Sequence, residues 1–268
     1  MNGNSLSEET IIAISNNCKK LKRLEIYECS IKPAIDGEPL SSPSVLKELS
    51  KLKYLEHLNL RDTENIDDNT IIAIANNCKN LKSLDIYGTS DNVTETALVA
   101  LTNLKNFEKL NVGFSHISDS FIIKLKGLKE LYCDECMELT DAGIIQVIKN
   151  NPDLEILDVC SIDNITLDLV IGADQATKNH SFMIKLKGLK ELDCYHCRKL
   201  TNSGVIQFIK NNPDLEKIDV RGIDNITTDL VIAADRATKI RTNAIILHLI
   251  ISQSVIRPSS TKPIIESP

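Results

Sequence analysis

Apolar residues recur along this chain in one phrase, apolar-x-x-apolar-x-apolar, first at Leu21, Leu24 and Ile26, then at Leu55, Leu58 and Leu60, then at Leu81, Leu84 and Ile86. It returns at Phe107, Leu110 and Val112, at Leu128, Leu131 and Cys133, at Leu154, Leu157 and Val159, at Leu189, Leu192 and Cys194, and at Leu215, Ile218 and Val220, with a basic spacing of 26 residues. Alternation inside the phrase predicts a short strand with one buried face. Between copies stands a second phrase, an apolar residue and a capping residue before an apolar helical start, as in Ile66 and Asp67 with Ile71, or Leu139 and Thr140 with Ile144. The same arrangement occurs at Ser7, Thr94, Ser118, Thr166, Thr201 and Thr227, and each predicts an N-cap with a hydrophobic staple ahead of a helix of about three turns.

A strand and a helix of this size cannot bury both faces alone, so successive units must stack into one continuous core. The text of the units resembles the cysteine-containing leucine-rich repeats of F-box substrate receptors. The matching residues are Asn-Asn-Cys at Asn16 to Cys18 and Asn76 to Cys78, Leu-Glu-Ile-Tyr-Glu-Cys at Leu24 to Cys29, and the Thr140-Asp141 helix start. The resemblance implies an α/β fold, a leucine-rich-repeat solenoid or horseshoe with a parallel sheet on the concave face and helices on the convex face. It also implies a non-enzymatic substrate-recognition role beside a ubiquitin-ligase scaffold, in the cytoplasm or nucleus and without cofactors. The F-box itself is not found before the repeats, and the chain opens inside a repeat, with only a helical half at Leu6 to Asn17. Two alternatives stay open: a secreted decoy of the kind found among insect venom proteins, and a ribonuclease-inhibitor-like inhibitor, whose repeats are longer.

The unbroken pattern predicts a single solenoid over 1–243, lengthened by an exposed loop at about 32–44 that carries Pro33, Pro39 and Pro43, then a closing segment at 244–256 and a loose tail at 257–268. Composition changes this picture little, with 42% hydrophobic and 25% charged residues matching ordinary globular chains. A net charge of −6 argues against a nucleic-acid partner, which needs clustered cations. The lysines around Lys19, Lys22, Lys126 and Lys129 are read as a solvated edge. Neither a signal peptide nor a membrane-spanning stretch is visible, since the apolar run Ala244 to Ile256 is too short to span.

Eight cysteines raise the question of zinc, because Cys133-x-x-Cys136 and Cys194-x-x-Cys197 have ligand-like spacing. The repeat assigns Cys133 and Cys194 to inward strand positions two units apart, about 10 Å at strand spacing, which one zinc ion cannot bridge. Buried free thiols are the expectation, with no metal site. The histidines are scattered, and no phosphate loop, nucleophile elbow or His-Glu-x-x-His motif is present.

The outward strand positions carry the candidate binding chemistry. One column reads Glu25, Asn59, Asp85, Asn111, Tyr132, Asp158, Asp193 and Asp219, and the next reads Tyr27, Arg61, Tyr87, Gly113, Asp134, Cys160, Tyr195 and Arg221. Tyrosine and arginine are favoured interface anchors, so Tyr27, Tyr87, Tyr132 and Tyr195 are expected to grip a protein. The carboxylates Asp85, Asp134, Asp158 and Asp219 would select a basic segment, with Arg61 and Arg221 alongside. The stretch Leu125 to Asn179 returns at Leu186 to Ile240, about two-thirds identical, and the copy keeps its core while Asp134 becomes Tyr195, Glu135 becomes His196 and Cys160 becomes Arg221.

Overall fold

The computed structural model describes residues 4–35, 39–42, 44–89, 92–167 and 188–252. In chain order the regular elements are β1 (Asn4–Ser7), α1 (Glu8–Asn17), β2 (Arg23–Glu25), β3 (Cys29–Lys32), β4 (His57–Asn59), α2 (Asp68–Asn77), β5 (Ser83–Asp85), α3 (Glu95–Leu98) and β6 (Lys109–Asn111). They continue with α4 (Asp119–Ile122), β7 (Glu130–Tyr132), α5 (Asp141–Asn150), β8 (Ile156–Asp158), β9 (Glu191–Asp193), α6 (Asn202–Asn211), β10 (Lys217–Asp219), α7 (Thr228–Lys239) and β11 (His248–Ile250). Nine of these strands make one sheet in the order β2-β4-β5-β6-β7-β8-β9-β10-β11, every neighbouring pair parallel. The chain is a leucine-rich-repeat solenoid.

The middle residue of each strand sets the register. Leu24, Leu58, Leu84, Leu110, Leu131, Leu157, Leu192 and Ile218 are direct partners across consecutive strands. From Leu58 onward they are at most 1% exposed, each worth about 1.5–3 kcal/mol in buried apolar surface. With Ile26, Leu60, Ile86, Val112, Cys133, Val159, Cys194 and Val220 behind them, they form one continuous core. The entry edge differs from the expected helical half. A second, two-stranded sheet joins β1 to β3, with Leu6 opposite Ile31, and β11 continues the main sheet with Leu249 opposite Ile218.

Helix length varies more than the phrase predicts. α1, α2, α5 and α6 each run 10 residues and α7 runs 12, whereas α3 and α4 are single turns of 4 residues. Where Leu110 and Leu131 are only 21 residues apart in sequence, the chain has no room for three turns. The segments Val45–Lys51 and Val99–Asn103 are 3₁₀ helices instead.

The caps work partly as expected and partly across repeats. Ser7, Asp67, Ser118, Thr140 and Thr201 accept from a backbone N–H of their own helix, while Thr94 and Thr227 do not. The first helical residue of one repeat holds the cap of the next: Asp68 accepts from Thr94 N and Oγ1, Asp119 from Thr140 N and Oγ1, and Asp141 from Thr166. Glu95 accepts from Ser118, and Asn202 exchanges bonds with Thr227. One carboxylate thus favours its own helix N-terminus and staples the neighbouring one. In the lengthened first repeat, buried Glu8 accepts from Ala34 N, Ser41 N and Ser41 Oγ and so ties the described part of the 32–44 segment to α1. The helix expected after Thr166, His180 and the tail at 257–268 lie outside the described residues. Among those described, no helix is long and apolar enough to cross a membrane.

Candidate functional site

Two columns of outward residues line the concave face and its rim. Glu25, Asn59, Asp85, Asn111, Tyr132, Asp158, Asp193 and Asp219 are direct partners in adjacent strands. Tyr27, Arg61, Tyr87, Asp134, Cys160, Tyr195 and Arg221 follow two residues later, just past the strand ends.

The first column does structural work that composition alone conceals. Asn59, Asp85, Asn111, Asp158, Asp193 and Asp219 each accept the backbone N–H two residues ahead, from Arg61, Tyr87, Gly113, Cys160, Tyr195 and Arg221. This Asx geometry closes the strand end. It explains why the column accepts Asp and Asn alike. The second oxygen of each carboxylate is what remains for other contacts.

Those carboxylates have unequal surroundings. Asp219, 2% exposed, receives Arg221 Nε and Nη2. Asp134, Asp158 and Asp193 have no ion-pair partner within 4.0 Å among the described residues. Burial, helped by Asp193, Asp134 and Asp219, pushes Asp158 up to about 7. Burial also raises Asp193 and Asp134, with Asp219 adding to the first and Glu135 to the second. A cavity of about 120 Å³ opens here between Tyr132, Asp158, Glu191, Asp193 and Lys217, floored by Ile156, Leu157 and Leu192.

Of the four predicted anchors, two pair with a neighbouring ring and two do not. Arg61 lies 3.7 Å over the Tyr87 ring, and Tyr87 meets Phe114 edge-on at 5.0 Å. Tyr195 meets His196 edge-on at 4.2 Å, with Arg221 5.6 Å from its ring. Tyr132 is committed elsewhere: its hydroxyl donates to Glu130 and Lys109 stands 4.8 Å over its ring, while burial and Glu130 hold its phenol far above the usual range. Tyr27 is 49% exposed at the β2 end, two repeats from Tyr87.

Sequence reasoning missed Phe114 and His196. Both occupy the fourth position after the central strand residue, where the backbone is left-handed in every described repeat, at Glu28, Asp62, Gly88, Phe114, Glu135, Ser161, His196 and Gly222. The glycines at two of these positions were the available signal. It also missed a charge ladder at the opposite strand edge. Two residues before the central leucine the chain reads Lys22, Glu56, Lys82, Glu108, Lys129, Glu155, Lys190 and Glu216, alternating without exception. Glu56 bridges Lys22 and Lys82 at 2.7 Å each, Glu108 meets Lys129 at 3.2 Å and Glu155 meets Lys190 at 2.8 Å. Lys22 and Lys129, read above as part of a solvated edge, are therefore rungs of this ladder. The Lys22 and Lys82 ammoniums hold Glu56 down at about 2.

Six of the eight cysteines are buried, whereas Cys18 is exposed and Cys160 half-buried. β8 stands between the repeats of Cys133 and Cys194, and Cys133, Cys136 and Cys197 donate to the carbonyls of Asp158, Val112 and Val159. Burial raises Cys133 and Cys194 far above the usual thiol range and pushes Cys136 up to about 12. Among the described residues, the one grouping with ligand atoms mutually within 4.8 Å is Asp158, Cys160 and Asp193. Burial pushes the Cys160 thiol up to about 12, and Asp158 and Asp193 add to the rise. The grouping is a centre of negative potential.

No protein-family model matches the chain. Among curated proteins it is similar to antagonist of mitotic exit network protein 1 of Saccharomyces cerevisiae, 28% identical over 174 residues, which are 56% of this chain and 32% of the yeast protein. The protein of that name from Candida glabrata is 28% identical over 190 residues, 62% of this chain and 36% of its own length. The chain thus spans well under half the length of these curated relatives. Among solved structures, a chain of the yeast Rad7 and Elc1 complex superposes with a TM-score of 0.59 at 18% identity, covering 96% of this chain and 72% of that one. An internalin (inlF) from Listeria monocytogenes gives 0.54 at 18% identity, covering 91% and 61%. These likenesses are of fold.

Proposed function

We propose that the chain is a non-catalytic protein-recognition solenoid whose concave face holds a basic segment of a partner protein. The observation that carries this reading is the row Asp134, Asp158 and Asp193, without ion-pair partners among the described residues, in a sheet whose opposite edge alternates Lys and Glu and pairs four of its seven neighbours. A Lys or Arg side chain laid against Ile156 and Tyr132, its cation at Asp158 and Asp193, would relieve the repulsion that raises these carboxylates. The name of the curated relatives, antagonist of the mitotic exit network, supports regulation by binding. Free thiols throughout suit the cytoplasm or nucleus, where disulfides are rare.

Within this reading the chain is a substrate receptor of the F-box type that reaches a ubiquitin-ligase scaffold through a segment other than the repeats. Similarity to a chain of the two-protein Rad7 and Elc1 complex supports that arrangement. Affinity purification with the full chain, with Asp158→Asn/Asp193→Asn, and with the convex-face control Lys149→Glu/Lys210→Glu tests both levels. Asparagine keeps the Asx turn, as Asn59 and Asn111 do, and removes only charge. Partners lost with the aspartate variant alone support concave recognition. Ligase-scaffold proteins retained by all three chains support the receptor reading, and identical lists without scaffold proteins refute both.

A further inference from the structure

Phe114 combines two unfavourable features. Its φ is +62°, a left-handed backbone that a bulky L-residue rarely adopts, and the residue is 40% exposed. The equivalent positions in neighbouring repeats are Gly88 and Glu135, so the architecture requires only the left-handed turn and not an aromatic ring. The site is nonetheless arranged around the ring. A Cβ on Gly113 would fall 2.7 Å from Tyr87 Cδ2 and 2.3 Å from Asp134 Oδ1, so Gly113 is what lets Tyr87 and Asp134 close in beside Phe114. Strain and apolar exposure held together at one position mark a surface shaped for a ligand rather than for the fold.

A second edge-on aromatic pair, Tyr195 with His196, stands on the same rim past β9, where Tyr195 is 37% exposed. From β6 to β9 is three strand steps, about 14 Å at the usual spacing, or about four residues of extended chain. Between the pairs lie Asp134, Glu135 and Asp158, which have no cation within ion-pair distance among the described residues. The geometry points to a bidentate rim that takes one extended peptide segment running across the strand ends. Its two large apolar side chains, about four residues apart, seat on the Tyr87–Phe114 and Tyr195–His196 pairs, with a Lys or Arg between them facing Asp134 and Asp158. This inference rests on the recognition role proposed above and adds the spacing and order of the recognised motif.

A random peptide library displayed on phage and selected against the full chain tests it. The expected outcome is enrichment of sequences with two aromatic or large aliphatic residues about four positions apart and a basic residue between them. The synthesised peptides should then bind Phe114→Gly and Tyr195→Ala at least about tenfold more weakly. Glycine is the natural occupant of this turn at positions 88 and 222, so Phe114→Gly keeps the fold, and an unchanged or raised melting temperature verifies that. Enrichment of another spacing, of acidic motifs or of nothing overturns the inference, as does undiminished binding to Phe114→Gly. If the aspartate variant still loses its protein partners in that event, recognition by the concave face stands and only the two-anchor motif falls.

Discussion

The two long edges of the one sheet are built from the same repeat and have opposite electrostatic characters. At the edge where the chain enters each strand, Lys and Glu alternate through every repeat, four of the seven neighbouring pairs are ion-paired, and Glu56 between two lysines is held at about 2. Where the chain leaves the strands, carboxylates face carboxylates, Asp158 is pushed up to about 7, and aromatic rings stand on left-handed turns. A self-complementary edge needs nothing from outside. An edge that keeps like charges and exposed rings is under-satisfied in isolation, and in the proposed function a partner segment of opposite charge would complete it. The contrast supports the proposed recognition face without any catalytic motif, because the repeat supplies its own internal control.

The largest effect should come from removing the repulsion. Asp158 has a folded pKa near 7 against about 3.9 when unfolded, so the folded state keeps a proton that the unfolded state has released. Its stabilising contribution is full below the unfolded value and is lost as pH rises through 7. Asp158→Asn should therefore melt higher than the parent at pH 8, by about 1–2 kcal/mol once the partial exposure of the carboxylate is discounted, with the gap shrinking to roughly a third of that by pH 5. Calorimetry at both values checks this. An equal gap at both pH values would mean that the aspartates are not in conflict, and the contrast between the edges would lose its main support.

Next in size is the turn. Phe114→Gly should stabilise by up to about 1 kcal/mol, since glycine adopts the left-handed region without steric penalty but gives up entropy on folding. The reciprocal change, Gly88→Phe, should destabilise, because a Cβ there would fall 2.1 Å from Asp62 Oδ1 and the backbone has φ +72°. Urea titration of the pair measures both. If Phe114→Gly instead loses stability, the ring contributes packing through Tyr87 and is less a binding feature than a structural one.

Much of this was legible in the sequence and some was not. The central leucines, the inward cysteines and the capping residues follow from periodicity, because burial and the helix N-terminus impose them on every copy. The short α4 was visible only as a 21-residue spacing that the common phrase obscured, and the short α3 lies in a repeat of the ordinary 26 residues. Caps held by the preceding repeat, as at Thr94 and Asp68, could not be read locally, since the bonding partner lies 26 residues away. The candidate site was half legible. Asp158, Tyr87 and Tyr195 stand out by type, but the Asx bonds that occupy one oxygen of each column aspartate depend on backbone direction. Phe114 is unusual only once the left-handed turn is known.

The smallest effect should appear at the paired edge, and it bears on how the chain grew. Glu56→Lys would place three lysines in a row at Lys22, 56 and Lys82. Because these side chains are solvated, the drop in melting temperature should be slight at low salt and largely absent in concentrated salt. The corresponding neutral change, Glu56→Gln, should lie between. Strict alternation means that inserting or deleting one repeat sets like charges side by side, whereas copying two repeats preserves every rung. The internal duplication does the latter: Lys129 and Glu155 return as Lys190 and Glu216, and the new junction joins Glu155 to Lys190 at 2.8 Å. If Glu56→Lys proves neutral even at low salt, that junction is fortuitous. If it is salt-sensitive as expected, the paired edge sets the unit in which the solenoid can lengthen and leaves the rim free to vary, as Asp134 and Glu135 did in becoming Tyr195 and His196.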